Sequence, residues 1–277
     1  MTSRTSPERD LLRETLRGFR PLGVEILLSL YPAPKDLGGL SAEIRSLKTS
    51  ILHELKRLRE DQLVDREDSR YVLTGVGRIY AVFFTQFVAA SSLVRSDPEF
   101  WLRHSLAGIP EPLLLRIGAL REAVLVRNDA LHLNRIHEHF LELLAESREL
   151  KGISPIFHPD FAGAVAKMLL QGYRVHLVVT SEVLREIQAT MQQMDVGVPD
   201  IRPLIEGNLV LYVTEECRLA LSATERFISL GLFDVWGTYD YDTDLFCTQP
   251  QGIQWGHDLF EYYRERSTRI EDLADRL

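Results

Sequence analysis

Cysteine is almost missing from this chain: Cys217 and Cys247 are the two in 277 residues, and neither sits in a C-x-x-C pattern. That excludes a disulfide-stapled small scaffold and a thiolate zinc site, and it suits two reduced thiols in a cytosol. Long apolar runs are scarce as well. The longest, AVFFTQFVAA, is about half of the ~18–20 residues that a membrane span needs. The opening MTSRTSPERDLLRETL carries acidic residues and no apolar stretch, so it does not read as a signal peptide. The expectation is a cytoplasmic protein with no membrane partner. Internal repeats and low-complexity linkers are absent from the sequence.

Positive charge is in deficit: 32 Lys and Arg face 40 Asp and Glu, a net charge of −8 at pH 7. The deficit is uneven. Residues 1–78 hold 14 basic and 12 acidic side chains, a net +2, and the remainder holds 18 against 28, a net −10. An acidic body behind a mildly basic head suits a protein that offers only its head to a polyanion. Hydrophobic residues at 45% and charged residues at 26% are ordinary for a globular protein, and the length suits two domains.

Catalytic patterns are missing too. GVGR is followed by no Lys and Ser/Thr at phosphate-loop spacing, no G-x-S-x-G occurs, and kinase signatures are absent. HLNRIHEHF gathers His132, His137 and His139. A zinc-protease helix needs two histidines one turn apart, and His137 and His139 are two residues apart, pointing away from each other. YDYDTDL sets Asp240, Asp242 and Asp244 at alternate positions without the glycine and distal glutamate of a calcium loop. That run reads as a solvated turn, with an ion or ligand contact as the second reading. No catalytic residue, metal ligand or cofactor is assigned.

What is present begins with KTSILHELKRL. Ile51, Leu52, Leu55 and Leu58 recur at three- and four-residue spacing, so they share one side of a helix. The other side carries Lys48, Thr49, Ser50, His53, Lys56 and Arg57. Before it come PERDLLRETLRGF, PLGVEILLSLY and LGGLSAEIRS, each helical; the last is weakened by Gly38 and Gly39. After it, Leu63–Asp65 and Tyr71–Leu73 flank a polar turn and predict a hairpin. A long apolar helix follows from Gly75 to about Val94, with Thr74 as its cap. Tyr80, Phe83, Phe84, Phe87 and Val88 are too apolar to stand alone in water, so much of this helix is expected to bury against a partner chain or the body.

Helix, helix, helix, hairpin, helix is the order of a winged helix-turn-helix, whose second motif helix enters the major groove. On that reading Lys48, Thr49, Ser50, His53, Lys56 and Arg57 face double-stranded DNA, with Arg66 and Arg70 at the hairpin turn positioned for phosphate or minor-groove contact. The domains expected are a DNA-binding head at 1–78, a linking and dimerising helix at 79–96, and an α/β effector domain at 97–277. In the body, AVLV, GISPIF and RVHLVVT alternate with helical stretches, which argues for parallel βαβ units. NLVLYV, LALSAT and RFISLGLF read as an antiparallel continuation.

Five blocks in order, FWLRHSLAGIPEPLLLRIGAL, KGISPIFHPDF, LVVTSEVL, LALSATERFISLGLF and GIQWGHDLFEYYRERS, resemble the Fil-type archaeal transcriptional regulators over some 170 residues. The head resembles that family's winged helix more loosely. The resemblance implies a dimeric DNA-binding regulator with a C-terminal sensing domain and a link to methanogen physiology. It also implies a sensor fold similar to phospholipase D-like effector domains. A working phospholipase D site needs H-x-K, and none of the eight histidines is followed by it.

Ser154, His158, Thr180, Ser181, Thr224 and Arg226 stand at the ends of strand-like runs. Ligands of open α/β sheets bind outside the carboxyl ends of strands, near free helix N-termini. These six are the candidate pocket for an unidentified small-molecule effector, with Arg226 as anchor for an anion. The expected fold class is thus α+β and α/β, a winged helix followed by an α/β sensor. The expected function is a ligand-responsive transcriptional regulator rather than an enzyme. The rival readings are a hydrolase-like or protein-interaction α/β domain with an accessory winged helix.

Overall fold

The computed structural model describes residues 18–193 and 208–270. The chain divides within one long helix into two compact units, the first ending at Val88 and the second beginning at Ala89.

In the first unit, α1 (Pro21–Leu30) starts on proline, whose missing N–H costs nothing in a first turn. α2 (Leu37–Glu43) is capped by Asp36, whose carboxylate accepts from Gly39 N at 2.7 Å. α3 (Lys48–Glu60) buries Ile51, Leu55 and Leu58 against Ile26, Leu27, Leu30 and Leu40. β1 (Val64–Glu67) and β2 (Arg70–Leu73) form an antiparallel hairpin that runs closer to the turn than the sequence suggested. Asp68 takes the left-handed conformation there, φ 52°, which aspartate tolerates.

Thr74 ties this hairpin to α4 (Gly75–Ser96). Its hydroxyl accepts from Gly77 N at 3.0 Å and donates to Gln62 O at 2.7 Å. A Cβ on Gly77 would stand 1.9 Å from the Leu63 carbonyl oxygen, so helix and hairpin meet this closely only because residue 77 is glycine.

The aromatic crowd of α4 is divided. Tyr80 and Phe84 stack on Phe19, ring centroids 4.7 and 4.9 Å away, whereas Phe83 and Phe87 are 68% and 69% exposed. By length and composition α4 is apolar enough to cross a bilayer, which corrects the sequence reading that no segment is. Ala81 and Leu93 on its inner side are packed in protein cores.

The second unit is a mixed sheet between helices. α5 (Pro98–Arg103), α6 (Glu111–Leu114) and a 3-10 turn (Ile117–Leu120) are short, and prolines stand in the first turns of α5 and α6. Then come β3 (Val124–Arg127), α7 (Arg135–Leu144), β4 (Glu149–Ser154), α8 (Pro159–Leu170), β5 (Arg174–Thr180) and α9 (Ser181–Gln193). β6 (Leu209–Thr214), β7 (Leu219–Ala223), β8 (Ile228–Phe233), β9 (Tyr239–Cys247), α10 (Pro250–Arg264) and β10 (Thr268–Arg269) complete it. The order across the sheet is β10-β6-β5-β4-β7-β8-β9-β3.

Three sequence expectations change here. NLVLYV is β6, and it pairs parallel to β5 rather than opening the antiparallel part. AVLV is β3, which lies at the far edge, antiparallel to β9, and so belongs to no parallel unit. YDYDTDL is not a turn but most of β9, paired with β8 at Tyr239 and Asp244 and with β3 from Thr243 onward; pairing on both edges at Asp244 overrides the low strand preference of aspartate. The entry helix expected at PERDLLRETLRGF lies almost entirely outside the described residues.

The central strands are buried on both faces, as a sheet covered by helices on both sides requires. Ile153, Val178, Leu221, Leu230 and Leu245 join Trp255, Leu259 and Phe260 of α10 on one face. Leu150, Val175, Leu177, Val179 and Phe246 join Phe140 and Leu144 of α7 and Val165 and Met168 of α8 on the other.

Candidate functional site

Two sites emerge, one in each unit. In the first, α3 turns Lys48, Thr49, Leu52, His53, Lys56, Arg59 and Glu60 outward. At 100° per residue these seven span a single face. Ser50 is half-buried at its margin. Leu52 was expected on the inner side, yet it is 43% exposed, at the middle of the polar face. Arg59 was missed, although the same 100° count from Lys48 would have found it.

Arg57 is the correction of most consequence. It does not join the outer face, because Glu54 lies 3% exposed beneath it. Arg57 Nε donates to Glu54 Oε1 at 3.0 Å, and its Nη1 donates to Gly18 O and Asp61 Oδ2, each at 2.8 Å. A buried carboxylate needs a charged partner, so Arg57 is structural. Lys56 by contrast is exposed, with only Glu60 near it at 3.9 Å.

In the hairpin, Arg66 lies over the Tyr71 ring at 5.7 Å and donates to Asp68 O at 3.1 Å. Arg70 is exposed opposite Glu67. Asp65, Glu67 and Asp68 are exposed alongside them, so the wing is close to neutral.

The second site is a cavity of about 340 Å³ on the α7 and α8 side of the sheet. Cross-strand register explains it. Gly152, Ser222, Ser229 and Phe246 stand opposite one another on β4, β7, β8 and β9, and Ala220, Gly231 and Asp244 form the adjacent row. On the reverse face the corresponding row is Ile153, Leu221, Leu230 and Leu245. Small side chains on one face leave a hollow that large ones fill on the other. Phe140 and His137 from α7, with Phe161 and His158 from the start of α8, form its walls, and Tyr239 to Asp242 its rim.

Asp244 lies in the floor. Its Oδ2 accepts from the Ser229 hydroxyl at 2.8 Å. Burial pushes its carboxyl up to about 7, with the Ser229 hydrogen bond opposing and the charge of Asp240 adding. The Tyr239 phenol is held well above its ordinary range by burial and by Asp244. Asp240 is committed elsewhere: its Oδ2 lies 2.9 Å from His104 Nε2 and its Oδ1 accepts from Asp242 N at 2.8 Å. Among the described residues no lysine or arginine lines the cavity.

Of the six candidate pocket residues, the structure brings two together. Ser154 donates to Ile156 O at 2.6 Å, and His158 Nδ1 accepts from Asp160 N at 3.3 Å, and both border the cavity. Thr180 accepts from Val183 N at 3.4 Å as a helix cap, and Ser181 is exposed beside it; neither reaches the cavity.

Thr224 and Arg226 lie at the opposite end of the sheet. β7 runs antiparallel to β4, so the carboxyl end of β7 meets the amino end of β4. Thr224 there accepts from Arg226 N and Phe227 N, and Arg226 pairs with Glu146 at 2.6 Å. The anionic anchor expected of Arg226 is therefore absent from the cavity. Asp242 and Asp244, read from sequence as part of a solvated turn, line it instead. Among the described residues no three His, Cys, Asp or Glu side chains are grouped to hold a metal.

Comparison with known proteins places these sites in context. Residues 14–92 match the N-terminal domain of methanogenesis regulatory protein FilR1, and residues 133–266 match its middle domain. The methanogenesis regulatory protein FilR1 of Methanothrix harundinacea (strain 6Ac) is 28% identical over 269 residues. The alignment covers 96% of this chain and 60% of that protein. Among solved structures, TrmBL2, an archaeal chromatin protein, aligns over 95% of this chain and all of its own, at 15% identity and a TM-score of 0.42. A phosphatidylserine synthase of Haemophilus influenzae Rd KW20 aligns over 53% of this chain and 39% of its own, at 13% identity and a TM-score of 0.37. Neither structural likeness is close enough to carry an argument.

Proposed function

We propose, for a chain that belongs to the FilR1 family and carries its N-terminal and middle domains in that order, that it is a DNA-binding transcriptional regulator with an effector-binding α/β unit. The observation that carries the reading is the outer face of α3. It presents donors and acceptors (Thr49, His53), cations (Lys48, Lys56, Arg59) and one apolar side chain, Leu52, directly before a hairpin wing. Base edges in the major groove are read by such groups, and a thymine methyl accepts an apolar contact of the kind Leu52 offers. The lysines and arginines supply the phosphate attraction.

A homodimer belongs to the same proposal. Val76, Ile79, Phe83 and Phe87 form an exposed apolar stripe along α4. Symmetric partners would cover it and set two half-sites about one helical turn apart.

The test is genome-wide footprinting, followed by fluorescence anisotropy on the footprinted duplex. Thr49→Ala and His53→Ala each cost about 1–3 kcal/mol and relax sequence preference, since they remove base contacts. Lys56→Ala and Arg59→Ala weaken all sequences alike and lower the salt slope by about 1 each. A quadruple variant that binds as tightly as the parent sinks the assignment of α3 as the recognition helix.

A further inference from the structure

We propose that the cavity beneath α7 and α8 binds a small organic cation, a primary amine carried on an apolar or aromatic body. The inference deepens the reading of the α/β unit as an effector domain and rests on it. Three observations carry it.

The first is charge. The cavity is bordered by Asp240, Asp242 and Asp244 and, among the described residues, by no lysine or arginine. Asp240 is engaged by His104 and by Asp242 N. The Asp242 carboxylate has no hydrogen-bond or ion-pair partner among the described residues, and Asp244 has only the Ser229 hydroxyl. Asp160 lies 3.8 and 3.9 Å from His137 and His158, and His158 Nδ1 accepts a backbone N–H.

The second is depth. Asp244 stands in a floor of Ala220, Ser222 and Ser229, where burial works against its own ionisation. An ammonium brought to it restores the lost counter-charge, while a carboxylate ligand meets three acids and no cation.

The third is the wall. Phe140, Phe161 and Tyr241 present aromatic rings and Ile136, Leu133 and Ile156 aliphatic surface. Rings attract a cation, and the aliphatic surface buries the body that carries it.

The pH response follows from the same geometry. The groups facing Asp244 are Tyr239, Asp240 and Asp242 on its own strand, Ser229 on β8, and His137 and His158 from the helical side. Cation binding favours the ionised carboxyl, which in the free protein titrates at about 7. Affinity therefore rises from pH 6 to pH 8, the sign opposite to that of an anion site.

The experiment uses the full chain and three probes of one shape: 2-phenylethylamine, 2-phenylethanol and phenylacetate. Binding is measured by calorimetry and by thermal shift at pH 6 and pH 8, with DNA binding followed in parallel by anisotropy. The amine is expected to bind at least tenfold more tightly than the alcohol, more tightly at pH 8 than at pH 6, and phenylacetate not at all. Asp244→Asn is expected to lose the amine preference while keeping its circular dichroism and DNA affinity. Asp242→Asn, at the exposed rim, weakens the amine less and guards against a folding artefact at Asp244. Equal or tighter binding of the alcohol or the acid overturns the proposal. So does an unchanged amine affinity in Asp244→Asn, or no binding of any probe at millimolar concentration. Amine binding without any change in DNA affinity leaves the cation site standing and removes its role as a sensor.

Discussion

Lys56 and Arg57 are adjacent, both basic, and opposite in role. One helical step of 100° separates a lysine in water from an arginine folded over a buried glutamate. Arg57→Ala strands Glu54 without its main partner, so it is expected to lower the stability of the head by about 2–3 kcal/mol in chemical denaturation. Lys56→Ala is expected to stay within about 0.5 kcal/mol. If the two variants unfold alike, Glu54 finds its counter-charge elsewhere, with Arg20 at 3.8 Å the first candidate. Sequence alone pointed to a basic outer face and could have excluded Arg57 only by noticing that Glu54 falls among Ile51, Leu55 and Leu58 on the inner side. An acid at a core position calls for a base within reach on the same helix.

At the scale of elements, α4 shows how far periodicity goes. The helix, its length and its Thr74 cap are legible in the sequence, because apolar spacing and capping chemistry are local. Which aromatics point inward is not local. Tyr80 and Phe84 find Phe19, which lies just before α1, and leave Phe83 and Phe87 outside. Phe83→Asp with Phe87→Asp is therefore expected to halve the mass of the protein in light scattering while leaving its helix content unchanged. Phe84→Asp is expected to unfold the head instead. A parent that is monomeric at micromolar concentration removes the dimer, and a double variant of unchanged mass moves the interface elsewhere. β9 teaches the converse lesson: alternating aspartates read as a solvated turn, yet they lie in a strand that pairs with β8 and β3, with Asp244 paired on both sides.

The whole molecule contains separate cores. The residues that pack around Ile26, Leu55 and Tyr71 form a cluster distinct from the two that cover the faces of the large sheet. Such a chain is not expected to unfold in one step. Calorimetry should resolve two transitions. Leu55→Ala, which empties a fully buried position, should lower one of them by an amount equivalent to about 2–5 kcal/mol and leave the other in place. A single transition that moves as a whole would show that the units fold as one. The uneven charge of the sequence fits this division: basic residues are denser in the head, 14 in 78 residues against 18 in the other 199, while acidic residues are spread about evenly, 12 against 28.

Apart from β9, the order of elements follows from the sequence alone: three helices and a hairpin, a long helix, then strands alternating with helices and a run of further strands. Each of these depends on residues within a few positions of one another, where periodicity, caps and breakers act directly. The candidate DNA-facing surface was legible for the same reason, since one helix carries most of it. The cavity depends on tertiary structure. Gly152, Ser222, Ser229 and Asp244 are spread over some ninety residues, and only the register of four strands sets them side by side. The position of Arg226 was decided the same way. A strand-end residue faces one end of the sheet or the other according to the direction of its strand, and β7 runs against β4. Local sequence states what a residue can bond to; strand direction and register decide what stands within reach.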